Sequence, residues 1–209
     1  VDGIHELQQM GELARTNLKM SMEALCEPDE KKIKAVCEQE AYIDFLNREI
    51  TDYLVKISEL DLPIADAKIL GGLFHVVNDI ERIGDHAENF AEAAKERMEK
   101  QIPFSEKAIR QIREMAEMVT EVLDYALQMF SERSTEHMKE VLQLEEAVDQ
   151  LERKLQKAHV KRLTKGKCTP EASMLYSDAI SGMERAADHA TNIAFAILEP
   201  EDLSEEEEE

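Results

Sequence analysis

Four pairs of acidic residues share one spacing, in which a glutamate is followed four positions later by an aspartate. The pairs are Glu40/Asp44, Glu81/Asp85, Glu145/Asp149 and Glu184/Asp188. Residues four apart lie on one face of an α-helix, so each pair would present two carboxylates together. Carboxylates held close together repel one another unless they take up protons or a cation. Ligands that are all oxygen suit hard cations, so the pattern indicates metal binding, with Mg²⁺, Ca²⁺, Mn²⁺ or iron as candidates.

Two of these pairs belong to a longer segment that occurs twice in the chain. Residues 81–89 read Glu-Arg-Ile-Gly-Asp-His-Ala-Glu-Asn, and residues 184–192 read Glu-Arg-Ala-Ala-Asp-His-Ala-Thr-Asn. The offset is 103 residues, and the other two pairs repeat at an offset of 105. This internal repeat predicts two similar units over residues 1–102 and 103–198. An acidic tail follows over residues 199–209.

The composition favours helices, because the chain has seven glycines, five prolines and no tryptophan. Proline positions and polar breaks predict six helices, over residues 3–26, 29–60, 64–100, 104–131, 135–165 and 170–198. No alternating pattern typical of strands is present. Apolar residues at heptad spacing in the second, third and fifth helices indicate packing as bundles. The predicted fold class is therefore all-α, with six helices forming two tandem three-helix bundles.

The heptad register also predicts where the acidic pairs meet. Each pair flanks its apolar seam on the same side, with glutamate at position e and aspartate at position b. The midpoints between paired motifs fall on the predicted turns, at Leu62-Pro63 in the first repeat and Gly166-Lys167 in the second. Antiparallel helices joined by a tight turn would bring the two pairs of one repeat level. We therefore expect four carboxylates to gather in each repeat, at a shallow surface site.

Neighbouring residues leave alternatives open. His86 and His189 follow the aspartates at position c, and we expect them to point away from the seam, which makes them weaker ligand candidates. For any single acidic pair, a solvated face balanced by Arg82 or Arg185 is the simpler interpretation. Four pairs in matched register and at matched height favour metal binding.

Charge and missing motifs exclude several function classes. The chain carries 46 acidic against 25 basic residues, a net charge of −21, which argues against binding to nucleic acid or anionic membranes. No run approaches the ~20 apolar residues of a membrane span.

Three cysteines without C-x-x-C spacing fit a reducing cytosolic setting. Without a catalytic motif or a glycine-rich loop, the sequence predicts no catalytic residue, no organic cofactor and no phosphate site.

Residues 79–89, which read Asp-Ile-Glu-Arg-Ile-Gly-Asp-His-Ala-Glu-Asn, resemble the signature of the PhoU family. The second copy is looser, because Gly182 stands where the first repeat has Asp79. The resemblance extends over nearly all of the chain except the acidic tail. It implies a PhoU-like, spectrin-repeat-like arrangement of six helices in two bundles. It also implies multinuclear iron, or ions such as zinc or nickel, at the paired acidic motifs.

The resemblance further implies regulation of phosphate uptake and phosphate signalling, without catalysis. Members of the family work with a phosphate ABC transporter and its sensor kinase, or are fused to sodium–phosphate cotransporters. This implies a cytoplasmic location at the inner face of the membrane, next to a transporter. A start in helical sequence without methionine favours a domain cut from a transporter. The sequence leaves open a homo-oligomer, and two other functions: an acidic helical scaffold with incidental metals, and a di-metal enzyme.

Overall fold

The computed structural model describes residues 2–197, so the acidic tail lies outside the described residues. The chain forms six α-helices: α1 (Asp2–Cys26), α2 (Glu30–Ser58), α3 (Ile64–Lys100), α4 (Glu106–Glu132), α5 (Met138–Thr164) and α6 (Pro170–Phe195). The predicted all-α class is confirmed, and most helix ends lie within three residues of their predicted positions. Charged residues interrupt every described helix, and none is apolar enough over a sufficient length to cross a lipid bilayer.

Side-chain caps explain why three of the helices begin where they do. Asp29, Ser105 and Thr169 precede α2, α4 and α6, and each side chain accepts a hydrogen bond from a backbone N–H of the first turn. These bonds satisfy donors that the helix itself leaves without partners. The turn between α5 and α6 contains Gly166 at a φ of +66°, where a residue with a Cβ would be strained.

The helices pack as two three-helix units joined along their inner helices. Within each repeat all three helices contact one another, and between the repeats α1 packs on α4 and α3 packs on α6. Over the described residues, α2 contacts only α1 and α3, and α5 contacts only α4 and α6. Four helices therefore form the junction between the repeats, while α2 and α5 lie on the outside.

Ion pairs show the direction in which the repeats meet. Arg15 Nε of α1 lies 2.8 Å from Asp124 Oδ1 of α4, and Arg113 Nη2 of α4 lies 2.9 Å from Oε1 of Glu27, the residue that follows α1. The start of one helix therefore lies against the end of the other, so α1 and α4 are antiparallel. One continuous apolar core fills both repeats and the junction.

Three of the apolar residues at heptad spacing in the second and third predicted helices are exposed instead of buried. Tyr53, Leu60 and Met98 expose 45%, 62% and 37% of their surface. They lie close to helix ends, where fewer neighbours cover a side chain. Seam residues farther from the ends, such as Ile43 and Ile80, are fully buried.

The expectation that His86 and His189 point outward is wrong. Both are half-buried between α3 and α6, with ring centroids 5.8 Å apart. Position c faces solvent in an isolated bundle, but here it faces the other repeat. Burial and the nearby His189 lower the pKa of His86 to about 4.

The two histidines have different surroundings because the repeats differ at one residue. His189 Nδ1 donates a hydrogen bond to Asp79 Oδ1 at 3.0 Å, and Asp79 is 6% exposed. Gly182 occupies the corresponding position opposite His86, and the ring of Phe90 lies 2.9 Å from where a Gly182 Cβ would stand. An aromatic ring thus fills the space that an aspartate side chain would need.

We expect Asp79→Ala to lower the free energy of unfolding by about 2 kcal/mol, because it removes a buried carboxylate and leaves Nδ1 of the half-buried His189 without its acceptor. Urea denaturation of the metal-free protein measures this effect. Asn78→Ala, at the neighbouring exposed position, is the matched control and should change stability by less than about 0.5 kcal/mol. Equal stability of the two variants would show that the Asp79–His189 hydrogen bond does not hold the repeats together.

Candidate metal centre

Helices α2 and α3 bring three predicted ligands into one cluster. Glu40, Asp44 and Asp85 each place a carboxylate oxygen within 4.8 Å of the other two. We call these three residues the first cluster. Glu81 precedes Asp85 by one turn and lies half-buried beside the cluster, outside the tight set. Burial and the charges of Asp85 and Asp44 raise the pKa of Glu81.

Glu40 lies deeper than the sequence predicted. It is 2% exposed, and both carboxylate oxygens are buried without a hydrogen-bond partner. Burial and the charges of Asp44 and Asp85 raise its pKa to about 8. An ionised carboxylate in this position would cost several kcal/mol unless a cation compensated it. The expectation of a shallow surface site is therefore wrong for Glu40.

Gly84 makes room for the buried carboxylate. A Cβ at Gly84 would stand 3.1 Å from Glu40 Oε1 and 2.7 Å from Glu40 Oε2, and the second distance is short enough that the carboxylate would have to move. The absence of a side chain lets the backbone of α3 pass directly beside Glu40. A glycine in a helix interior costs about 1 kcal/mol relative to alanine. At this position the residue is needed for close approach.

Helices α5 and α6 form a second cluster. Asp149, Glu184 and Asp188 place carboxylate oxygens within 4.8 Å of one another. Burial and the neighbouring Asp188 and Asp149 raise the pKa of Glu184 to about 8. Asp149 Oδ1 is buried without a hydrogen-bond partner. Glu145 is half-buried, and burial and the charges of Asp188 and Asp149 raise its pKa, but it lies outside the tight set.

The two clusters therefore use different glutamates. The first contains Glu40 from α2, whereas the second contains Glu184 from α6, which corresponds to Glu81 in the repeat. Ala187 stands where the first repeat has Gly84, and it is 1% exposed. The second repeat therefore carries a methyl group at the helix position where Gly84 leaves room for the Glu40 carboxylate.

We expect Gly84→Ala to weaken metal binding at the first cluster at least ~tenfold, since an added Cβ must displace Glu40 and loss of a positioning group costs that much. Binding at the second cluster should not change. Isothermal titration calorimetry of the metal-free protein with Mn²⁺ or Fe²⁺ measures the affinity of each of the two sites. Ala187→Gly is the matched control and leaves the first cluster intact. Unchanged binding in Gly84→Ala would mean that Glu40 is not a ligand.

Few cations compensate the clusters. Arg82 Nη1 lies 3.8 Å from Asp85 Oδ2, and both side chains are more than a third exposed, so this ion pair contributes little. Arg185 Nε donates to the backbone oxygen of Ser181. Over residues 2–197, no basic side chain lies within ion-pair distance of Glu40 or Glu184. The interpretation of a solvated acidic face balanced by arginines therefore has little support.

Glu88 is one further acidic residue that sequence reasoning missed. It is half-buried, its charge raises the pKa of Glu40, and burial raises its own pKa. Glu88 follows Glu81 by seven residues and Asp85 by three, so all three share one face of α3. This spacing was visible in the sequence and could have identified it.

Comparisons with known proteins identify the family to which this chain is related. The PhoU domain model matches residues 7–94 and 112–197. The chain is similar to the phosphate-specific transport system accessory protein PhoU homolog 1 of Thermotoga maritima, with 26% identity across 92% of this chain and 83% of the relative. It is 30% identical to the homolog of Synechocystis, across 90% of this chain and 83% of that protein.

Solved structures share the same fold. The crystal structure of PhoU from Pseudomonas aeruginosa superposes with a TM-score of 0.88 at 25% identity, and the match covers 94% of this chain and 93% of that one. PhoU from Streptococcus pneumoniae superposes with a TM-score of 0.82 at 20% identity, which supports the fold alone. Both copies of the internal repeat match the domain model, and the match spans most of the chain. The chain therefore belongs to the PhoU family.

Proposed function

We propose that this chain is a metal-binding regulator of phosphate transport. Its relatives are named as accessory proteins of phosphate-specific transport systems, which supports the regulatory role. The observation that carries the metal-binding part is Glu40, a buried carboxylate without a hydrogen-bond partner beside two further carboxylates. We propose no catalytic step.

The ligands in this proposal are the two clusters, with Glu81 and Glu145 beside them. Oxygen donors without nitrogen or sulfur fit hard cations, and a divalent ion would offset the charge that burial makes costly. The family resemblance favours iron, and zinc, nickel, manganese, magnesium or calcium are the other candidates. A bound ion would supply positive charge between two helices and thereby link them.

The effect on shape follows from where the clusters lie. Each cluster joins an outer helix to an inner one, α2 to α3 and α5 to α6. The outer helices have no contact across the repeat junction within residues 2–197. In our proposal, metal occupancy fixes α2 and α5 against the junction and so sets the outer surface that a partner meets. The proposed partner is a phosphate transporter of the ABC or sodium–phosphate cotransporter type, at the cytoplasmic face of the membrane, together with a sensor kinase.

The test compares metal-loaded and metal-free protein for binding to membranes that contain the phosphate transporter of the same cell. We expect tighter binding of one of the two forms. The double variant Asp52→Ala/Asp178→Ala, which removes exposed acids outside the clusters, should behave as the unaltered chain. Equal affinity of the two forms for the transporter would contradict regulation by metal, and no affinity in either form would contradict the transporter as partner.

A further inference from the structure

A cavity of about 340 Å³ lies at the end of the second repeat, away from both acidic clusters. It is formed where the turn between α5 and α6 meets the start of α4. Ser105 and Thr169, the residues that cap α4 and α6, line it together with the buried Tyr176. Two helices therefore begin at this cavity, and the start of a helix carries partial positive charge. The volume lies at the lower end of the range for small-molecule sites.

The lining is basic in a chain that is strongly acidic. Arg162, Lys167 and His159 line the cavity, whereas no aspartate or glutamate of the described residues does so. Neither Arg162 nor Lys167 forms an ion pair within residues 2–197.

Arg162 is held at the cavity by the ring of Tyr176. The residue is half-buried and lines the cavity, and its Cζ lies 5.5 Å from the centroid of the Tyr176 ring. The stacking holds the guanidinium at the cavity wall. His159 is 6% exposed and lies 2.6 Å from Ser173 Oγ through Nε2. Burial and the charge of Arg162 lower the pKa of His159, which agrees with a local excess of positive charge.

The corresponding end of the first repeat has no such polar lining. At the repeat offsets, His159 corresponds to Leu54 and Arg162 to Ile57, while Ser173 corresponds to Leu70. Leu54 and Leu70 are buried, so apolar side chains fill these positions in the first repeat. The polar residues of the second repeat are therefore not required by the three-helix architecture.

We propose that this cavity binds a phosphate-type oxyanion, either inorganic phosphate or a small phosphate monoester. A guanidinium donor, an ammonium group, a hydroxyl and two helix starts are the groups that bind tetrahedral oxyanions in proteins. The sequence predicted no phosphate site because it lacks a glycine-rich loop. The cavity supplies the required donors from side chains that are far apart in the chain. The proposal does not depend on metal binding.

The test is calorimetric titration of the metal-free full chain at constant ionic strength, once with inorganic phosphate and once with glycerol 3-phosphate. Removing bound metal ensures that the probes do not bind through a cation in the clusters. We expect saturable binding at one site, weakened at least ~tenfold in Arg162→Gln and in Lys167→Gln, since each removes a charged donor. The tighter of the two probes identifies the source of the oxyanion.

Lys157→Gln is the matched control, because Lys157 is an exposed lysine on α5 outside the cavity. It should bind like the unaltered chain. If Arg162→Gln fails to fold, Lys167→Gln decides the result, since Lys167 is exposed in the turn and its replacement preserves the core. Absence of saturable binding with both probes would overturn the proposal, and so would equal binding by Lys167→Gln and Lys157→Gln.

Discussion

Alanine at both Asp85 and Asp188 should reduce the metal content of the purified protein at least ~tenfold relative to the unaltered chain. Each aspartate contributes an oxygen to one cluster, and each cluster has only three carboxylates in close contact. Loss of a group that merely orients a ligand already costs 10–100-fold in affinity, so loss of a ligand should cost at least as much. Elemental analysis of protein purified without a chelator measures the effect.

The two single variants distinguish the metal bound at each cluster. Asp85→Ala should lose the metal of the first cluster and keep that of the second, and Asp188→Ala should do the reverse. The double variant Asp52→Ala/Asp178→Ala has the same change in net charge at exposed positions outside the clusters. It should keep its metal. If both double variants contain equal metal, the ions bind by general attraction to an acidic surface, and the clusters are not sites.

The metal-free protein should become less stable as the pH rises from about 6.5 to about 8. The pKa of Glu40 and that of Glu184 are both raised to about 8 in the folded state, from an ordinary value of 4.5. In this window the folded protein binds more protons than the unfolded chain, so the free energy of unfolding falls with rising pH. The full slope is about 1.4 kcal/mol per pH unit for each group. Water near these residues screens part of it, so we expect a total fall of about 1–2 kcal/mol.

The lower limit of the window comes from a histidine with the opposite sign. The pKa of His86 is lowered to about 4, so below pH 6.5 the unfolded chain binds a proton at His86 that the folded protein does not. Stability from His86 is therefore lost as the pH falls, which opposes the carboxylate effect. The lowered pKa of His159, caused by burial and the charge of Arg162, acts in the same direction. As the pH rises above 6.5 both histidines become neutral in the unfolded chain as well, so the raised carboxylate pKa values determine the sign of the slope.

Urea denaturation in the presence of a chelator, at intervals between pH 6.5 and 8, tests this expectation. Glu40→Gln should remove the contribution of Glu40 to the slope, whereas Glu38→Gln, an exposed neighbour on α2, should leave it. Excess divalent metal at pH 8 should restore stability, by about 2.7 kcal/mol at a concentration one hundred times the Kd. A stability that stays constant across the window would show that Glu40 and Glu184 ionise normally in the folded protein.

The sequence was sufficient for the helices and for their pairing. Proline positions and polar breaks act locally, so helix ends could be read without knowledge of tertiary contacts. The sequence also predicts that the two acidic pairs of one repeat lie at the same height, because a tight turn between two helices determines which of their residues lie opposite each other. Together these two inferences predict that Glu40, Asp44 and Asp85 lie close together, as they do in the structure.

The depth and composition of the clusters could not be predicted, because they depend on contacts between helices. A heptad position predicts the direction in which a side chain points from its own helix. The burial of Glu40 depends in addition on the neighbouring helix, where Gly84 has no Cβ. His86 and His189 were misplaced for the same reason, since the second repeat covers them. The oxyanion cavity is a further case, because Ser105 and Arg162 are distant in sequence.

The substitution of Ala187 for Gly84 between the repeats has a consequence for how the protein would respond to metal in the cell. Two identical sites fill together over one narrow range of ion concentration. Here one carboxylate set encloses a buried glutamate and the other does not, so the two should fill at different concentrations. Two sites of unequal affinity would change their occupancy at different concentrations of the same ion, one at low and the other at high concentration. In the proposed metal-binding role, the difference between the two clusters would thus widen the range of ion concentrations over which occupancy changes, without altering the six-helix fold.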